Sequence, residues 1–206
     1  MNARAGLLLA LALTLAACTG SLLESGADAP ETYRLAGEVL ADRGERLPLA
    51  LGVARPRAAP ALDTERMAVV RSDSRFDYYA GVRWSEPAPQ MLQQMLVRGL
   101  AADGRFEAVV AAPSRVPADL LLDVELRRFE AVYAHDGAAP EVRAEMQVSV
   151  VDPRQSRRLA SFVAAGSAVA AENRRAAVVD AFERATAAAM REAVSGVREA
   201  APSAPR

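Results

Sequence analysis

Three kinds of side chain in this sequence could do chemistry, and the first is a thiol. Cys18 is the only cysteine, and it closes the string Leu15-Ala16-Ala17-Cys18 at the end of an apolar run, Gly6 to Ala17, that follows Arg4. A short positive start, an apolar stretch of about 7–15 residues and small residues before the cut make a bacterial secretory leader. A cysteine directly after the small pair makes a lipobox, and the chemistry is then acylation of the thiol. The sequence predicts residues 1–17 as a lipoprotein signal peptide and Cys18 as the lipidated first residue of the mature chain. The competing reading is an ordinary leader with a chance cysteine. The run is too short to span a bilayer, which takes about 20 apolar residues.

The second kind is imidazole, and the third is carboxylate. His135 is the only histidine, and with no spare cysteine a His-rich metal site and a Cys/His dyad both lack their residues. A Ser/His/Asp triad would have to use His135, which sits in the turn-like string Ala134-His135-Asp136-Gly137 and reads as an exposed loop residue. Asp123 and Glu125 alternate with Leu122 and Val124, which explains them as the solvated side of a strand. No nucleophile elbow, phosphate loop or dinucleotide fingerprint occurs. The reading is of a protein that is not an enzyme, with no catalytic residue, no cofactor and no metal ligand.

Composition narrows the partners. The 25 basic and 26 acidic residues nearly cancel, which removes the electrostatic case for nucleic acid. Every cation is arginine; with the heavy alanine content this reads as genomic composition bias rather than as an anion site. A cysteine committed to lipid excludes a disulfide framework, so the fold stands on its core alone. One acyl chain anchors only marginally, at about 0.8 kcal/mol per buried methylene, and stable attachment takes two signals. Bacterial lipoproteins meet this with two or three chains, palmitate among them, on one cysteine. The residue after Cys18 is Thr19 rather than aspartate, which favours the periplasmic face of the outer membrane and leaves the inner membrane open.

The elements follow from periodicity. Residues 18–32, rich in Gly, Ser, Ala and acids, read as a lipidated tether, and residues 33–199 as one domain followed by a tail over 200–206. Strands are predicted from Tyr33 to Val39, Leu47 to Val53, Met67 to Arg71, Tyr78 to Trp84, Phe106 to Ala111, Asp119 to Tyr133, Val142 to Val150 and Leu159 to Ala165. Phe129 falls out of phase in the sixth of these, which predicts a bulge near Arg127 or Arg128. Ser85 is the expected cap of a first helix with Pro87 and Pro89 in its first turn, an apolar stripe of Leu92, Met95, Leu96 and Leu100, and a stop at Gly104. Asn173 is the expected cap of a second helix, to about Arg198, with Val179, Phe182, Thr186, Ala189 or Met190, Ala193 and Val197 on its apolar side. The fold class is α+β: a mostly antiparallel sheet with two principal helices packed on one face. Trp84 reads as either a core plug or an interface anchor.

Several strings in this order resemble the ABC-type transport auxiliary lipoprotein family, the PqiC-like group: Tyr33-Arg34-Leu35 behind a lipobox, Leu51-Gly52-Val53 with Pro56, Leu62-Asp63, Arg66 to Arg71, Tyr79, Arg83-Trp84-Ser85-Glu86-Pro87, and Leu126 to Glu130. The resemblance implies an accessory, non-catalytic component of an envelope system that moves lipids or other hydrophobic molecules and supports membrane integrity. It implies an ABC ATPase, a permease and a mammalian-cell-entry domain protein as partners, and leaves a homo-oligomer open. A structural or assembly lipoprotein of the outer membrane is the alternative, ahead of a periplasmic hydrolase.

Overall fold

The computed structural model describes residues 29–36 and 46–201. Cys18, the leader and the segment 37–45 lie outside the described residues. Among the described residues nine strands and two helices follow in the order β1 (Glu31–Tyr33), β2 (Leu47–Ala54), β3 (Arg57–Ala58), β4 (Arg66–Val70), β5 (Phe76–Trp84), α1 (Ala88–Asp103), β6 (Phe106–Ala112), β7 (Leu120–Val132), β8 (Glu141–Asp152), β9 (Arg157–Val169) and α2 (Arg175–Ala200). Glu31 and Thr32, read from sequence as the end of the tether, pair with Val82 and Arg83 of β5.

β7 organises the sheet. One of its edges takes three strands in series, all parallel: β2 at Leu120–Leu122, β3 at Glu125–Leu126 and β4 at Glu130–Val132. Its other edge pairs along its length with antiparallel β8, which pairs with antiparallel β9, giving the meander expected of three strands joined by turns. β5 and then β1 extend the sheet beyond β4, and β6 extends it beyond β2. The sheet is therefore mixed, with its longest ladders antiparallel, and the class is α+β. The register of β7 against β8 shifts between Leu126 and Arg128. Arg127 is the extra residue, and Phe129 returns to the buried face with 1% exposure.

Both helices pack on that buried face. In α1, Leu92, Met95, Leu96 and Leu100 are buried as their spacing predicts, and Gly104 ends the helix in the left-handed region at φ 72°. In α2 the buried stripe is wider than the expected one: Ala181, Ala185, Ala189 and Ala193 recur every four residues beside Phe182, Thr186, Met190 and Val197, and Val178 rather than Val179 is fully buried. Small side chains on one face let the helix backbone approach the sheet closely. At Gly166 of β9 an added Cβ would stand 2.1 Å from the carbonyl oxygen of Ala185.

Two expected caps are corrected. Pro87, not Ser85, is the N-cap of α1, with no side-chain hydrogen bond; the Ser85 amide donates instead to the Tyr33 carbonyl at 2.7 Å, and the Ala88 amide to the Thr64 carbonyl at 3.1 Å. Arg174 is the N-cap of α2. Asn173 accepts a hydrogen bond from the Tyr133 hydroxyl at 2.7 Å. At Asn173 a residue distant in the chain claims the side chain that local sequence offered to the helix, and at Ser85 the backbone is tied to the residue that ends β1.

Candidate functional site

The residues singled out by their chemistry do not converge. His135 is exposed in the β7–β8 turn, with Nδ1 3.3 Å from the Asp136 carbonyl, and Asp136 Oδ1 lies 3.5 Å from Ser72 Oγ. Asp123 and Glu125 stand on the outer face of the sheet, Asp123 paired with Arg57 at 3.2 Å and Glu125 near Arg127 at 3.9 Å. Among the described residues, no three His, Cys, Asp or Glu side chains gather as a metal site would require. Trp84 resolves as core. It is 0% exposed, with its ring centroid 5.0 Å from Phe182 and 5.5 Å from Phe129, so the three rings knit β5, β7 and α2 together.

Polar groups inside the fold serve assembly. Gln93 is buried on α1 and donates to the Val53 and Ala112 carbonyls at 2.9 and 3.2 Å, clasping the ends of the parallel pair β2 and β6. Asp103, 1% exposed at the end of α1, pairs with Arg198 near the end of α2. Tyr79 of β5 and Tyr133 place their hydroxyls 2.9 Å apart, and Tyr133 donates onward to Asn173. Burial, followed by the Tyr133 hydrogen bond, pushes the Tyr79 phenol above its ordinary range. None of these pairings is visible in the local sequence, because each joins elements remote in the chain.

What remains accessible is surface. The outer face of β7 and β8 carries Arg143 bound to Glu141 at 2.6 Å, and a polar hollow where Arg57, Arg127 and Arg158 stand among Asp123 and Glu125. Arg57 pairs there with Asp123 and Arg127 with Glu125, which leaves Arg158 as an excess cation over the two carboxylates. Nearer β4, Glu130 sits in register with Ala68 and Arg143, and Ala68 in register with Tyr78. Burial there raises the Glu130 carboxyl above the usual range, against the lowering effect of Arg128 and Arg143. A second hollow of about 490 Å3 runs between β9 and the C-terminal half of α2. The accessible features are thus a polar sheet face and a groove along one strand.

A family model for the ABC-type transport auxiliary lipoprotein component matches residues 33–194. The chain belongs to that family. The match runs from the end of β1 to the C-terminal half of α2, so the auxiliary lipoprotein unit and the fold described above coincide. Among solved structures, a protein from Xanthomonas campestris, of the DUF330 family model, is 27% identical with a TM-score of 0.74, covering 81% of this chain and 93% of its own. An uncharacterized protein is 17% identical with a TM-score of 0.62, covering 84% of this chain and all of its own, and shows the same fold. No curated protein matches the sequence. Membership in a transport auxiliary lipoprotein family assigns an accessory role in transport and a place in the bacterial envelope. Among the described residues no helix is long and apolar enough to cross a membrane.

Proposed function

We propose that this auxiliary lipoprotein is held to the periplasmic face of the outer membrane by acyl chains on Cys18, and that it serves an ABC system moving lipids or other hydrophobic molecules between membranes. The observation that carries the reading is the family match across residues 33–194. The lipobox would supply the anchor, and the residues between Cys18 and β1 would link it to the domain. In this reading the permease and ATPase of the system, with a mammalian-cell-entry domain protein as conduit, are its partners, and the protein contributes contacts rather than turnover.

The test combines labelling with capture. Metabolic incorporation of palmitate should label the wild-type chain and not Cys18→Ser, which should persist as an unprocessed precursor. Crosslinking in intact cells, followed by fractionation, should recover the conduit and permease with the outer-membrane pool. An unacylated mature chain refutes the anchor. Crosslinks to outer-membrane assembly factors in place of a transporter favour the assembly alternative.

A further inference from the structure

Among the described residues β9 pairs with β8 alone, so one side of this strand directs its backbone groups away from the sheet. The direction is fixed by two contacts. The Ala165 amide donates to Glu192 Oε2 at 2.6 Å, and the Val169 carbonyl accepts from Arg184 Nη2 at 2.9 Å, both from α2 across the strand's open edge. Strand alternation then turns the backbone groups of Ser161 and Val163 to the same open side, because the register with β8 is continuous from Ser161 to Val169. Side chains of α2 thus plug the edge at Ala165 and Val169, a common way of blunting an exposed edge.

Beside Ser161 and Val163 the edge opens into the groove of about 490 Å3. Its floor is small because Phe162 packs against Gly196, where an added Cβ would stand 2.3 Å from the ring. Its far wall carries Glu192, Ser195 and Glu199. Among the described residues two carboxylates and no cation line it; Arg198, next to Glu199, is turned to Asp103. On the outer face of the same strand Val163 is 42% exposed and Val169 is 59% exposed.

We propose that this groove is a strand-addition site for an extended peptide segment of a partner protein, with basic side chains on alternate residues and apolar ones between them. The segment's backbone would pair with Ser161 and Val163, extending the sheet as a tenth strand and ending where Glu192 already occupies the Ala165 amide. Because side chains of a strand alternate, its basic residues would face Glu192 and Glu199 while its apolar residues continue the outer face beside Val163. Charge selects this occupant over two others. A second copy paired edge to edge about a two-fold axis would bring its own carboxylates to the same seam. The chain's tether carries Glu24 and Asp28 and no cation between Cys18 and Pro30. The site rests on the geometry of β9 and α2 and does not depend on which molecules the system transports.

The experiment uses the full-length lipidated protein in detergent micelles and three fluorescent peptides: an alternating Arg-Val hexamer, its Glu-Val counterpart, and the Arg-Val hexamer N-methylated on alternate amides. The Arg-Val peptide should bind and slow amide exchange at Ser161 and Val163, while the other two should bind at least tenfold more weakly. Glu192→Gln with Glu199→Gln should weaken binding roughly fivefold, as loss of two exposed ion pairs would. Val163→Pro removes one outward amide from an edge strand that tolerates proline, and should abolish the exchange protection. Unchanged melting of the Gln variants shows that they fold. Equal binding of the Arg-Val and Glu-Val peptides, protection mapping away from β9, or a dimer whose contact buries Val163 would each overturn the proposal.

Discussion

The carbonyl of Ala185 and the α-carbon of Gly166 are in such close apposition that helix α2 rests directly on strand β9: a Cβ at position 166 would stand 2.1 Å from that oxygen and 2.7 Å from the amide nitrogen of Ala189. Because both obstacles are backbone, the contact can be relieved only by lifting the helix. Gly166→Ala should cost about 3 kcal/mol or more, the upper range of overpacking. Gly196→Ala meets only the Phe162 ring, which can swing, and gains about 1 kcal/mol of helix propensity. Thermal melts should therefore rank Gly166→Ala far below Gly196→Ala; equal shifts would contradict the close approach.

Alternation on β8 gives a second expectation. Met146 is 1% exposed in the core, whereas Gln147 points to the outer face and donates to Ser161 Oγ and the Phe162 carbonyl. Met146→Asp should destabilise the domain by about 3–5 kcal/mol, as an unpaired buried charge does. Gln147→Asp should cost about 1 kcal/mol, through its lost hydrogen bonds. Denaturant midpoints at pH 7 would separate the two.

The hydroxyl chain from Tyr79 through Tyr133 to Asn173 fixes the start of α2 to β5 and β7. Tyr133→Phe leaves the Tyr79 hydroxyl and the Asn173 carbonyl oxygen unmatched, and should cost about 1–2 kcal/mol. Hydrogen exchange should report it as faster opening of the first turns of α2, before any change at its C-terminal end.

Glu130 predicts a pH dependence. Its carboxyl is raised by burial, so the folded chain holds this proton more tightly than the unfolded chain does. That contribution to stability is fully present below the ordinary carboxylate range and is lost as pH rises through the raised folded value. Glu130→Gln should flatten the stability profile in this window and raise the melting temperature at pH 7. A steeper profile in the variant would reverse the assignment.

The repeating parts of the fold were legible because their causes are local. β8 alternates without a break, the phase slip at Phe129 announces the bulge at Arg127, and Gly104 stops α1 by its own backbone freedom. The caps were not legible, since Ser85 and Asn173 are engaged by Tyr33 and Tyr133 from distant strands. β3 hid between Pro56 and Pro60, where two residues can pair with β7 but cannot show a period. Gln93 is buried because two strand ends need a donor there, a contact between elements remote in the chain. The groove of β9 was not legible for a related reason: Glu192 and Glu199 line it only because of the strand that packs beside them.

The strand order also sets a distance. From β1 to β9 the sheet crosses five inter-strand steps of about 4.8 Å, some 24 Å in all before twist. A chain tied to a membrane through its amino-terminal end is tied at the β1 margin, and β9 is the opposite margin. The dozen or so residues from Cys18 to Pro30 can add at most ~40 Å to that span. With Cys18 acylated as proposed, the sheet would work as a boom whose length sets how far from the lipid surface a ligand on β9 is held.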